Sequence, residues 1–434
     1  MASLRKNSIY GFLGFALPSI ITLIAYPILV NYFGDVLFGV YIVATSLSSS
    51  AALFEFGMSS ATLKFVSEDW SLGNYQGVRE TIATSIIFYL ILGFSLGVPI
   101  WCMAGKIAFL FGGASVQQQA EWIFRITAVQ LVITMLLSVI ASSLKGMQMF
   151  DKTALLFSLQ SILLNLGAIL AVTIYDADII AVAGIGLASS AFVCILGVFL
   201  LTRAEWGESQ VHSIRISDAS RRAFMKMLKF GGAVGVASIA SVLHGQAQRM
   251  ILGAVLGAQY VTSFHLGVWG PSKVNAATMA LSEPFFPKVS SMGSSYKDAR
   301  SLCGKYMVLN GLLAFMALSP LMFFSNEIYN FWFNGKPPLY SSKIATIMAL
   351  ALLVNSISQP VHHLMNGAGQ PWVNTFFTLM SPITLYAILG VKYLFYKELD
   401  IFDFVWATAI SVGVTSIANI LWVNYKLEWL SFRR

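Results

Sequence analysis

The sequence predicts an all-α integral membrane protein, with twelve transmembrane helices in two pseudo-symmetric six-helix lobes around a central cavity. Three observations carry this prediction. The 434 residues are 57% hydrophobic and only 11% charged, where an ordinary soluble domain is about a quarter charged. Apolar stretches of about 20 residues, long enough to cross a bilayer, recur along the whole chain. The Lys and Arg residues sort by loop.

The spans fall at 8–32, 36–66, 81–104, 122–144, 153–174, 179–202, 230–256, 261–287, 302–325, 341–366, 372–394 and 402–426. Arg5 and Lys6 precede the first, as in a signal peptide. The stretch Ile9 to Phe33 is too long for such a core, and no small-x-small site follows, so it is expected to stay as the first helix. The spans 36–66 and 261–287 carry many Ser, Thr, Asn and Gly residues. Helices of that kind face other helices or a watery cavity.

With the N-terminus placed inside, 19 of the 27 Lys and Arg residues lie in inner loops and six in outer loops. Arg249 and Lys273 remain within helices. The positive-inside rule therefore predicts cytoplasmic termini and an even number of crossings. The net charge of +8 is thus a topology signal. No basic run has the interleaved aromatics of a single-strand nucleic-acid binder, so no nucleic-acid partner is expected. Cys102, Cys194 and Cys303 have neither disulfide nor metal spacing.

Residues 1–202 form the expected first lobe, 203–229 a basic cytoplasmic linker and 230–434 the second lobe. From Ser213 to Lys229, basic residues alternate with Ile214, Ile216, Phe224, Met227 and Leu228. This reads as an amphipathic helix on the inner leaflet or as a solvated linker. The halves repeat. Gly34 and Tyr41 match Gly257 and Phe264, and Leu144-Lys-Gly146 matches Met365-Asn-Gly367. Six helices per half would make the repeats parallel.

An ionisable group within a span marks a functional site by default. Arg249 lies in the seventh helix with His244, Gln246 and Gln248. A guanidinium grips phosphate oxygens in a bidentate fork, though it could also snorkel to the outer headgroups. Lys273 follows Gly270-Pro271 in the eighth helix. It would attract an anion or pair with a buried acid such as Glu55. Glu55 and Glu283 lie towards the inner ends of the second and eighth helices. Each is a candidate for ion coupling or gating. Arg125 and His265, near outer helix ends, are candidates for the outer part of an anion-binding cavity; His362 and His363 read as neutral. Phosphate-loop, nucleophile-elbow and metal-site patterns are absent, so neither an enzyme nor a cofactor protein is expected.

At these residues the chain resembles a polysaccharide flippase of the Wzx type, within the multidrug/oligosaccharidyl-lipid/polysaccharide (MOP) exporter superfamily. The likeness spans the full length. It rests on Leu53-Phe-Glu-Phe-Gly57, on Leu144-Lys-Gly-Met-Gln-Met-Phe150, on Arg249-Met-Ile-Leu-Gly253 and on Asn366-Gly-Ala-Gly-Gln-Pro371. The resemblance implies a bacterial inner-membrane protein that moves an undecaprenyl-pyrophosphate-linked oligosaccharide outward by alternating access, for O-antigen-like or lipopolysaccharide assembly. It implies lipid contacts and a link to the polysaccharide polymerase machinery. A proton gradient, a sodium gradient or the membrane potential would drive the cycle. The family often has an acid just before the seventh-helix Arg, and this chain has Gln248 there. The competing class is an ion-coupled drug antiporter of the multidrug branch or a major-facilitator-like transporter.

Overall fold

Helix dominates because a backbone in lipid must satisfy its own hydrogen bonds. The computed structural model describes residues 2–203, 214–282, 296–367 and 370–426. By packing, the chain divides into two units, Met1–Val242 and Leu243–Arg434.

The first unit begins with α1 (Ala2–Ser50), which is broken at Gly34 (φ 76, ψ 169) and so makes two crossings. The second crossing continues through a 3₁₀ turn at Ala51–Leu53 into α2 (Met58–Ser71). Phe56 and Gly57 in between have positive φ angles, 48° and 69°. Four long helices follow: α3 (Tyr75–Gly112), α4 (Gln117–Gly146), α5 (Phe150–Tyr175) and α6 (Ile179–Thr202). Their core joins Phe65, Tyr89, Leu131, Met135, Leu144, Leu156 and Val193. Helices α3 and α4 approach closely at two glycines. A Cβ at Gly97 would lie 2.9 Å from the Ala128 carbonyl oxygen, and one at Gly93 would lie 3.2 Å from Val132 Cα. Such small-residue seams let helices dock in lipid, where apolar burial alone gives little drive.

After a 3₁₀ turn at Ile216–Asp218, α7 runs Arg221–Val242. Residues 221–229 are therefore the first turns of the seventh crossing, not a separate surface helix. Their amphipathic pattern persists with a different purpose. Met227 joins the first unit's core and Phe224 packs against it, while Arg221, Arg222, Lys226 and Lys229 stay exposed. Residues 230–242, which the hydropathy pattern groups with the second lobe, also pack on the first unit. Gly231 and Gly235 bring the α7 backbone against Phe56 and Gly57.

The second unit opens on a π-helical turn, Leu243–Ala247, which leads into α8 (Gln248–Leu256). Next come α9 (Ala258–Ser282), α10 (Tyr296–Phe323) and the short α11 (Ser325–Trp332). It ends with α12 (Ser341–Gly367), α13 (Pro371–Tyr396) and α14 (Ile401–Lys426). Polar pairs tie these helices together. Thr278 donates to Ser356 Oγ (3.1 Å), Ser356 to Asn275 Oδ1 (2.9 Å) and Asn355 to Ser416 Oγ (3.1 Å).

Among the described residues, nine helices are long and apolar enough to cross a membrane by themselves. Twelve crossings arise because α1 supplies one and part of a second, and because two more are unusual. The seventh is split by the π turn, and α9 carries Lys273 and Pro271.

The internal repeat has a backbone signature. Gly257, like Gly34, combines positive φ with extended ψ (φ 98, ψ 162) and joins α8 to α9. Only glycine enters that region readily. After the fourth and tenth crossings the same hydrogen bond closes the turn: Met149 N–H to Leu144 O (2.8 Å) and Gln370 N–H to Met365 O (2.9 Å).

Candidate functional site

Each unit presents polar chemistry at membrane depth. In the first unit, α1, the Ala51–Leu53 turn and α4 enclose a cavity of about 280 Å³. Thr45, Ser48 and Ser49 line it from α1, and Thr127, Gln130 and Thr134 from α4. Among the described residues, Glu55 supplies its one ionisable side chain. The break in the second crossing places that carboxylate. Positive φ at Phe56 and Gly57 interrupts the helix just after it, and Tyr89 OH donates to Glu55 Oε2 at 3.0 Å. Tyr89 itself is fully buried. On the α4 side, Gln130 Nε2 donates to Ser190 Oγ (3.1 Å) and so does Gln160 Nε2 (3.1 Å). Those bonds hold the Gln130 side chain at the cavity wall.

Of these residues, the sequence reading singled out only Glu55. The others left a faint signal. Residues 45, 48 and 49, and likewise 127, 130 and 134, fall on one helical face. Each set looks like ordinary hydroxyl decoration until the two helices are brought together.

In the second unit the π turn re-aims the start of α8, and such turns recur at functional sites. Its carbonyl at Leu243 accepts from Tyr386 OH (2.7 Å), and His244 Nδ1 meets Ser381 Oγ (3.1 Å). Gln248 is buried and donates to Thr408 Oγ1 and to the Phe404 carbonyl. It thus fastens α8 to α14. Arg249, next along, is half-buried and donates from Nη1 to Gln246 Oε1 (3.1 Å).

Lys273 lies on α9, with its ammonium 5.5 Å from the Trp269 ring centre. Trp269 stacks on Trp332 (5.8 Å), which abuts Phe333 (4.6 Å). Tyr329 OH anchors this aromatic block to the Leu266 carbonyl (2.8 Å). His265 is buried, and both Arg249 and Lys273 act on it electrostatically. Arg249 and Lys273 therefore both lie within electrostatic reach of the buried His265. A cation over an aromatic face is stabilised by the ring.

The remaining candidates lie elsewhere. Arg125 forms an ion pair with Glu121 (2.5 Å) and sits by the Trp101 and Trp122 rings, at 5.7 and 5.2 Å. Cation, carboxylate and paired indoles are the chemistry of an interfacial belt. His244 sits on the π turn, five residues before Arg249. Glu283 lies outside the described residues. No group of three or more His, Cys, Asp or Glu side chains among the described residues could hold a metal.

The fold is that of a multi-helix membrane protein with polar side chains inside each unit. Residues 12–169 match the MatE family model. Over nearly the whole chain, the inward-facing form of a multidrug resistance MATE family transporter of the MOP superfamily superposes with a TM-score of 0.75. Sequence identity is 12%, and 96% of this chain and 95% of that one are covered. The outward-facing form of a multidrug resistance MATE family transporter of the MOP superfamily gives 0.62 at 14% identity, covering 99% and 96%. A Shigella flexneri protein named as a provisional O-antigen transporter is 20% identical over 432 residues, covering 99% of this chain and 98% of that protein. The solved structures show that the chain has the twelve-helix, two-lobe fold of these MATE family transporters.

Proposed function

We propose that this protein is a flippase for an undecaprenyl-pyrophosphate-linked oligosaccharide. It would work in a bacterial inner membrane with both termini in the cytoplasm. Two six-helix lobes, joined through the basic linker, would expose a cavity alternately to each side. The observation that carries this reading is that Arg249 and Lys273, within membrane helices, both lie within electrostatic reach of the buried His265. Two permanent cations at that depth are costly, and a pyrophosphate is the kind of ligand that offsets the cost. Arg249 would take phosphate oxygens through its fork, and Lys273 would add a point charge. Arg125 and His244 would act at the margins. The Shigella flexneri relative supports a glycan-lipid substrate, and the polymerase machinery would receive the product.

A charge-assisted hydrogen bond contributes about 1.5–3 kcal/mol, or about 10–100-fold in rate. Arg249→Ala and Lys273→Ala should therefore each slow translocation of a labelled pyrophosphate-linked oligosaccharide in proteoliposomes by at least tenfold. Both variants should still insert and purify. Wild-type rates in both would remove the anion site.

The Glu55 cavity favours a second reading, an antiporter of organic cations. It predicts dye efflux that depends on Glu55 and ignores Arg249. In the flippase reading the same carboxylate serves as the coupling group for a proton or sodium gradient.

A further inference from the structure

An apolar groove lies on the flank of the first unit. The side chains of Thr84, Ile87, Phe88, Ile91, Leu92 and Ser95 form one stripe along α3 and line a groove of about 450 Å³. Its other wall is the segment leading into α7, with Ser220, Arg221 and Phe224. Two contacts hold that wall in place. The Ser220 N–H donates to Thr84 Oγ1 (3.0 Å), and the Phe224 ring lies 6.0 Å from that of Phe88. The groove lining is almost wholly apolar except at the Arg221 end.

We propose that this groove holds one acyl chain of an anionic phospholipid, with the headgroup on Arg221. Length and charge support that occupant. From Thr84 to Ser95 the helix rises roughly 16 Å, and one leaflet of hydrocarbon is about 15 Å deep. The groove therefore reaches from headgroup level to the bilayer midplane. Its side is open at Ile91, which is 66% exposed. At the headgroup level Arg221 is joined by exposed Arg222, Lys226 and Lys229 on α7. The nearby acids are fewer than these four basic residues: Asp218, whose Oδ2 accepts from the Arg215 N–H (2.9 Å), and Glu80, whose Oε1 accepts from Gln76 (3.1 Å). Each basic residue near the surface strengthens binding of an acidic lipid about fivefold. The groove is formed by α3 and the start of α7, so a lipid there would brace the seventh crossing against the first unit. The proposal does not depend on which substrate is exported.

Native mass spectrometry of the full-length protein in mild detergent tests it. One dioleoyl phosphatidylglycerol per chain should be retained, with at least fivefold preference over dioleoyl phosphatidylcholine. Arg221→Gln should lower the preference about fivefold. Ser95→Trp, which fills the groove from its exposed side, should lower occupancy of both lipids at least threefold. Phe192→Trp, on exposed α6 surface, should change neither. Equal retention of the two lipids by the wild type, or unchanged retention in Ser95→Trp, would overturn the proposal. So would displacement of phosphatidylglycerol by an equal concentration of undecaprenyl phosphate, which would make the groove a substrate site instead.

Discussion

Replacing Gly57 with alanine is expected to cut the yield of folded protein severely and to lower its melting temperature. Two costs coincide at this position. Its φ of 69° lies in the left-handed region, which costs a residue with a Cβ about 1–2 kcal/mol. The added Cβ would also stand 2.2 Å from the Gly231 carbonyl oxygen and 2.9 Å from its carbon. Both are backbone atoms, so no rotamer change relieves the contact. Overpacking of this kind costs about 1–3 kcal/mol, and a typical domain has only about 5–15 kcal/mol in all. The reciprocal change, Gly231→Ala, puts a Cβ 2.6 Å from the Phe56 carbonyl oxygen and should behave alike. Its neighbour is the control. Nothing lies within 4 Å of a Cβ at Gly232, so Gly232→Ala should match or slightly exceed the wild type. Fluorescence size-exclusion profiles and thermal melts of the three variants measure this. Equal behaviour of the variants at 231 and 232 would show that the close approach of α7 to the Phe56–Gly57 break does not matter.

Glu55→Gln should uncouple transport from the driving gradient while leaving the fold and the substrate affinity intact. The amide keeps the shape of the carboxylate and can still accept from Tyr89 OH, which sits 3.0 Å away. What it loses is the one ionisable side chain that the described residues give the cavity. In proteoliposomes, an imposed proton or sodium gradient should accelerate the wild type and leave the Glu55→Gln variant at its gradient-free rate. Tyr89→Phe keeps the carboxylate and removes its donor, so it should shift the gradient response without abolishing it. A Glu55→Gln variant that responds fully to both gradients would place coupling elsewhere in the protein.

Much of the fold was legible in the residues themselves, for a physical reason. A helix in lipid satisfies its own backbone, so each crossing can be read from its own stretch of chain. The exceptions are local conflicts. The seventh crossing is not one smooth helix, because a π turn at Leu243–Ala247 interrupts it. Residues 221–229 look like a surface helix in isolation. The partners of Phe224 and Met227 sit in the first unit's core, in sequence far before them.

The site was legible in part. Arg249, Lys273 and Glu55 stood out because a charge at membrane depth is rare whatever surrounds it. That Arg249 and Lys273 both act on the buried His265 follows from the packing of α8 on α9, which hydropathy does not describe. Arg125 carried the same signal as Arg249, yet its partners Glu121 and Trp122 lie one turn away on the same helix, and only its contact with Trp101 needs α3 and α4 to be packed. The hydroxyl-rich wall facing Glu55 was invisible for a similar reason, since it joins residues 45–49 to residues 127–134.

By itself, then, the sequence determined the solvent, the number of crossings, the repeat and the rare buried charges, because each is local or additive along the chain. Tertiary structure alone decided which helices pack together and where cavities open. Those depend on contacts between helices far apart in the chain, and no local pattern encodes them.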